Sequence, residues 1–232
     1  MSLANLIVQP QAAYLYTDSG LWDADGVVLE LLHKIMPFPR QCLAMTMVGA
    51  GKMTATMLFD EIERRGIDHL DQIDFLNAFR ALIHELCPDA VDGADREDRR
   101  FMIGLYSHKD GHAVGLTLFT PGMGPDGKAP YEYHEADIVI HPMVPPADAF
   151  GGRRTNVTRP ASFDPVKDGA VLVDAQRAKV TGWSHGVADG SRVAGDILLT
   201  EISASGLSFD LIASYPDRVG ERVVDAGLQS LA

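Results

Sequence analysis

A hydroxyl, a carboxylate and an ammonium open this chain in an order that could attack a carbonyl. Ser2 is followed by Asp18 at an offset of 16 and by Lys34 at an offset of 32. A serine hydroxyl attacks a carbonyl only with a base in hydrogen-bond reach, and a free α-amine, with a pKa of about 8, can be that base. A serine at the head of a chain would carry nucleophile and base on one residue. A buried lysine beside an aspartate would hold positive charge near the hydroxyl and orient it. Singly, each residue has an ordinary role: Asp18 forms a turn, Lys34 lies at the surface, Ser2 is a chain end. The joint spacing and its strand context bear on the fold first, and on activity only through it.

The elements that must position these groups are legible from periodicity and breakers. Leu6 to Gln9 and Ala12 to Thr17 are apolar runs split by Pro10, which predicts an antiparallel pair. Asp18-Ser19-Gly20 ends the second run, Asp23 to Gly26 is a turn, and Val27 to Ile35 is a third apolar segment stopped by Pro37 and Pro39. Cys42 to Val48 is a further strand running into Gly49-Ala50-Gly51. From Lys52 the period becomes helical: Met53, Met57, Leu58 and Ile62 share a face, and Gly66 ends the helix. Asp71 caps a second helix carrying Ile73, Leu76, Phe79, Leu82, Ile83 and Leu86. Asp89 to Arg100 reads as a solvated, charge-mixed loop. Phe101 to Ser107 and Ala113 to Thr120 form a hairpin around Lys109-Asp110-Gly111. Ala136 to His141 is a short strand between long loops at about 121–135 and 142–164. Asp164-Pro165 caps a helix reaching about Val180, and Asp196 to Ile202 with Leu207 to Ile212 alternate across Ser205-Gly206. Strands, two helices, strands, a helix and strands fit two sheets between helical layers better than alternating β-α units. One domain over residues 1–232 is expected.

At this point the sequence resembles proteasome β-type subunits of the N-terminal-nucleophile (Ntn) hydrolase superfamily. Those proteins begin, after processing, with a Thr, Ser or Cys and carry an Asp and a Lys at these offsets. The flanking pattern also agrees: a strand ending in Asp18-Ser19, then His33-Lys34-Ile35, then an apolar strand into Gly49-Ala50-Gly51 and a helix. The C-terminal helix and the hairpin Gly195 to Ile212 extend the likeness, which is sharp in the first 60 residues and the last 45 or so of the pattern. The resemblance implies a four-layer α/β/β/α Ntn sandwich with mostly antiparallel sheets, a peptide or other small amide as substrate, no cofactor and no metal, and a homo-oligomer, ring-like in the relatives. Met1 must be removed for the chemistry, because a retained Met1 ties the Ser2 nitrogen into a peptide bond. Backbone N–H groups at Gly49, on a strand-to-helix turn, would stabilise the oxyanion. The family's supporting Asp-x-x-Ser-Gly-Gly run is altered here to Asp189-Gly190-Ser191-Arg192-Val193-Ala194-Gly195, with Val193 at the serine's slot. Asp189 and Ser191 would fill that role after a loop shift. The alternative is a catalytically silent subunit that uses the same fold for assembly.

Composition narrows the classes further. Lys plus Arg number 20 against 32 Asp plus Glu, for a formal charge of −12, which repels phosphate backbones and excludes nucleic acid without a basic patch. The nearest approach to one, Arg96, Arg99 and Arg100, is interleaved with Asp95, Glu97 and Asp98. Cys42 and Cys87 make neither a disulfide framework nor zinc spacing and read as buried thiols. No apolar stretch approaches the roughly 20 residues of a membrane span, and the start lacks a secretory pattern, so a soluble cytoplasmic protein is expected. Gly49-Ala50-Gly51 after a strand also suggests an NAD(P)-binding oxidoreductase, but a second helix follows where a parallel strand is needed. Lys52 invites a phosphate-loop reading, which fails because Thr46 replaces its first glycine and Met53 its hydroxyl. The eight histidines show no helical His-x-x-x-His and read as packing or surface residues. Ser184-His185 with Asp189 lists triad residue types without a nucleophile elbow.

Overall fold

The apolar runs pair into two five-stranded sheets and a small ribbon in the computed structural model, which describes residues 3–23, 25–88, 97–125, 127–142, 144–145, 147–178 and 193–223. The strands are β1 (Ala4–Gln9), β2 (Ala12–Asp18), β3 (Gly20–Trp22), β4 (Val28–Leu31), β5 (Met36–Phe38) and β6 (Leu43–Ala50). They continue as β7 (Asp98–Ser107), β8 (His112–Phe119), β9 (His134–Glu135), β10 (Ile138–His141), β11 (Asp196–Ser203) and β12 (Gly206–Ser214). The first sheet runs β10-β1-β2-β11-β12, the second β5-β6-β7-β8-β9, and β3 pairs with β4 alone. Every strand pair among the described residues is antiparallel. The fold is therefore mixed α+β with antiparallel sheets, and the Gly49–Gly51 motif lacks the parallel β-α-β unit that a dinucleotide site needs.

Alternation along the strands of the two large sheets sends side chains to three cores, while Val28 and Trp22 of the ribbon join a small fourth cluster with Ala194 and Val223. Ala4, Leu6 and Val8 of β1 and Ala13 and Leu15 of β2 meet Ala44, Val48 and Met102 of the second sheet. The intervening Leu3, Ile7, Tyr14 and Tyr16 pack on Leu172 and Val173 of helix α3 (Lys167–Ala178). The outer face of the second sheet, with Leu43, Met45, Phe101 and Ile103, packs on helices α1 (Ala55–Arg64) and α2 (Gln72–Leu86) through Leu58, Ile62, Phe75, Phe79 and Ile83. Strands buried on both faces explain why these segments read as continuous apolar runs. Small side chains line the facing surfaces. A Cβ on Gly115 would sit 2.6 Å from Val8 Cγ2 and 2.4 Å from the Ala136 carbonyl oxygen, and one on Gly104 would sit 3.0 Å from Ile202 Cδ1.

The helices start where the sequence supplies an acceptor. The Thr54 side chain accepts from Met57 N, and Asp71 accepts from Ile73 and Asp74 N, which satisfies amides left open in each first turn. Asp164 Oδ1 does the same for Val166 and Lys167 ahead of α3.

Two expectations are corrected. The segment Val27 to Ile35 is not one strand: Val28–Leu31 folds back on β3, and Pro37 lies inside β5 opposite Ala44. That proline is tolerated because β5 is an edge strand. Asp98 to Arg100 belongs to β7 and is no solvated loop. Arg99 is buried and held by Glu97 at 2.7 Å, while the Glu97 carboxylate also accepts the Lys52 and Met53 amides. Mutual neutralisation lets a charge-rich stretch enter the sheet, which composition alone does not reveal.

Candidate functional site

Asp18 closes β2, with Ile197 of β11 opposite it. The chain then makes the β3–β4 hairpin, in which Gly20 pairs with Leu31, and the Leu32 N–H donates to the Ser19 carbonyl at 2.8 Å. The hairpin brings the chain back to its own starting point, which is why Lys34 meets Asp18. Lys34 Nζ donates to Asp18 Oδ1 at 2.7 Å and also to the Gly20 carbonyl, and it lies 5.2 Å from the centre of the Trp22 ring. Asp18 Oδ1 further accepts the Leu3 amide at 3.0 Å, and Oδ2 accepts the Ala194 amide at 3.2 Å.

Both charged groups are out of water: Asp18 is 1% and Lys34 7% exposed. Burial pushes the Asp18 carboxyl up from its ordinary value, opposed by Lys34 and by the Ala194 and Leu3 amides. Burial pushes the Lys34 ammonium down, opposed by Asp18. Among the described residues, the groups hydrogen-bonded to Asp18 are all donors, the environment a carboxylate requires. The result is a desolvated ion pair whose lysine releases its proton more readily than a surface lysine does.

A second set of contacts fixes the wall that supplies Ala194. Its carbonyl accepts from Gly20 N at 3.0 Å, and the neighbouring Gly195 N–H donates to Asp217 at 2.8 Å. Arg177, from the last turn of α3, forks onto Asp217 at 2.8 and 2.9 Å, donates to the Val193 carbonyl, and stacks 4.1 Å over the Tyr215 ring. Asp196 N–H donates to Ser19 Oγ at 2.9 Å. The approach is tight, since a Cβ on Gly20 would stand 2.5 Å from Ala194 Cβ. Sequence reasoning missed Ala194, Arg177 and Asp217. Ala194 stands in the Asp189–Gly195 run but drew no role there, and no local pattern marks Arg177 or Asp217, because the three converge from separate segments.

Gly49 lies near the end of β6 opposite Arg99, inside the strand and not on a strand-to-helix turn. Its φ is +131°, and a Cβ would meet the Asp98 carbonyl oxygen at 1.9 Å, so only glycine fits. Among the described residues no hydrogen bond joins Gly49 to the Asp18–Lys34 pair. β5 enters the second sheet with Met36 opposite Met45, two residues after Lys34. Ser2, Asp189 and Ser191 lie outside the described residues. The structure thus brings together two of the six sequence-predicted site residues, Asp18 and Lys34, along with the backbone amide next to Ser2.

Cys42 and Cys87 are buried free thiols, and burial raises both pKa values, to about 11 for Cys87. Among the described residues no cluster of His, Cys, Asp and Glu is arranged to hold a metal, and no helix is long and apolar enough to cross a membrane. No family model matches the sequence, and a search of the curated proteins finds no match.

Proposed function

We propose that this chain is an amide hydrolase of the N-terminal-nucleophile type, with Ser2 as nucleophile. The observation that carries the reading is the buried Asp18–Lys34 ion pair, whose carboxylate also accepts the amide of Leu3, the residue bonded to Ser2. The α/β/β/α layering belongs to the same proposal. It is supported by a core between the two sheets, a core beneath α1 and α2, and a core beneath α3.

In this mechanism removal of Met1 frees the Ser2 amine. That amine takes the hydroxyl proton as the oxygen adds to the amide carbonyl, and the developing oxyanion is met by backbone N–H groups near Gly49. The C–N bond breaks, the leaving amine takes the proton, and an ester to Ser2 remains. Water then adds to the ester, its proton passing through the same amine, and the carboxylic acid departs. Lys34 keeps positive charge beside the reacting oxygen, and Asp18 is a positioning residue that holds Lys34 and the start of β1. The reading requires the Ser2 hydroxyl on the face of β1 that Ala4 and Leu6 share.

A silent assembly subunit is the second reading, and one observation favours it. Val193, at the slot of the family's supporting serine, is fully buried and apolar. Intact mass of untagged protein, followed by assay on peptidyl aminomethylcoumarins, separates the two. A chain beginning at Ser2 that releases coumarin, with Ser2→Ala inactive, supports the hydrolase. A retained Met1 with no turnover, in a homo-oligomer by light scattering, supports the silent subunit.

A further inference from the structure

We propose that Arg100 and His141 form a carboxylate-binding subsite in the space between the two sheets, next to the Asp18–Lys34 pair. Its ligand class, an amide bearing a carboxylate near the scissile bond, rests on the hydrolase reading; the anion site itself does not.

Strand register places both side chains in that space. His141 pairs with Ala4, and Val139, two residues earlier on β10, pairs with Leu6; Ala4, Leu6 and Val139 all belong to the inter-sheet core. Arg100 pairs with Val48 and stands two residues before Met102, and both of those belong to the same core. The two positions also fall at the same end. Cys42 Sγ donates to the Ser203 carbonyl at 3.2 Å, and Ala113 N–H donates to the Pro10 carbonyl at 3.0 Å, which aligns the start of β6 with the far ends of β1 and β11. The end of β6, where Val48 faces Arg100, therefore aligns with Ala4 and His141. Leu3, held by Asp18, is the next residue along.

The polar groups there are unspent. His141 is 4% exposed, and its Nε2 has no hydrogen-bond partner. Thr46 of β6, in line with Ala44 and Val48, and Thr200 of β11, opposite Leu15, turn unpartnered buried hydroxyls into the same space. Among the described residues Arg100 makes one hydrogen bond, from Nη2 to the Met123 carbonyl at 2.6 Å, and forms no ion pair with a carboxylate. The contrast with Arg99, paired with Glu97 on the same strand, is direct. Buried polar atoms normally have partners, so several without them beside an unneutralised guanidinium mark a place built for a ligand. A guanidinium takes a carboxylate through paired N–H bonds, and the neutral His141 ring, held at a pKa of about 4 by burial and by the Arg100 charge, can donate a third. In a chain of net charge −12, such a cation offers a local exception to a repelling surface.

The test uses the full chain, with glutarate as probe and with glutaramide and inorganic phosphate as controls. Calorimetry should show saturable glutarate binding, weakened at least about tenfold by Arg100→Gln, partly kept by Arg100→Lys and unchanged by Ser2→Ala. In the unmutated protein the His141 ring 15N resonances should move on saturation, a readout that survives if Arg100→Gln fails to fold. Absent glutarate binding, unmoved His141 resonances, tighter binding of glutaramide or phosphate, or equal affinity in a folded Arg100→Gln would each overturn the site. Glutarate binding without amide turnover would sink the hydrolase reading and leave the subsite standing.

Discussion

Asp18→Ala should be the most damaging single change at the site. The carboxylate accepts from Lys34 at 2.7 Å, Leu3 N at 3.0 Å and Ala194 N at 3.2 Å, all in a buried setting. Removing it strands an ammonium whose remaining acceptor among the described residues is the Gly20 carbonyl, and leaves two amides open. Breaking a buried pair from one side costs about 3–5 kcal/mol. For a chain of this size each kcal/mol moves the melting temperature by about 2–4 °C, so a loss of roughly 6–20 °C is expected. Lys34→Met should cost less, about 1–3 kcal/mol, because the carboxyl keeps both amide donors and the new side chain fills similar volume. Asp18→Ala/Lys34→Met should recover part of the single-variant loss, since no buried charge remains. Urea unfolding followed by circular dichroism at pH 7 gives the three numbers. A loss under about 1 kcal/mol for Asp18→Ala, or a double variant worse than the sum of the singles, would refute the buried-pair argument.

Further outcomes follow from the same contacts. In Lys34→Met the Asp18 carboxyl loses its main opposing charge, so burial holds its folded pKa above the unfolded 3.8. The folded state then binds more protons than the unfolded one, and the variant's deficit should grow as pH rises above about 4; equal urea midpoints relative to the parent at pH 5 and pH 8 would contradict this. His141 titrates at about 4 in the fold against 6.5 unfolded. Its neutral form therefore contributes stability present above pH 6.5 and lost as pH falls toward 4, up to about 3 kcal/mol, and an NMR titration midpoint above 6 would exclude it. Gly115→Ala should destabilise by about 1–3 kcal/mol because its Cβ meets backbone as well as Val8, and Gly104→Ala by less because it meets side-chain methyls; denaturant midpoints in the reverse order would count against the facing of the two sheets.

Much of this protein is local and was legible without coordinates. The β1–β2 pair, the β7–β8 and β11–β12 hairpins and helices α1 and α2 come from short-range signals: alternating or continuous apolar runs, Gly-containing turns, helical periodicity after Lys52 and an acceptor at Asp71. Asp18 and Lys34 were legible as a pair through spacing and strand context. What spacing could not say is that the β3–β4 hairpin folds one onto the other, or that burial shifts both ionisations. Tertiary structure alone decided the rest. Arg99 reads as a solvated charge until Glu97 and the loop at Lys52 and Met53 enclose it, and Pro37 reads as a stop until β5 proves to be an edge. The Ala194–Asp217–Arg177 brace joins residues from distant segments. Propensity and period act over a turn or a strand, whereas burial, charge neutralisation and hydrogen-bond partnership are set by what packs across the sheets.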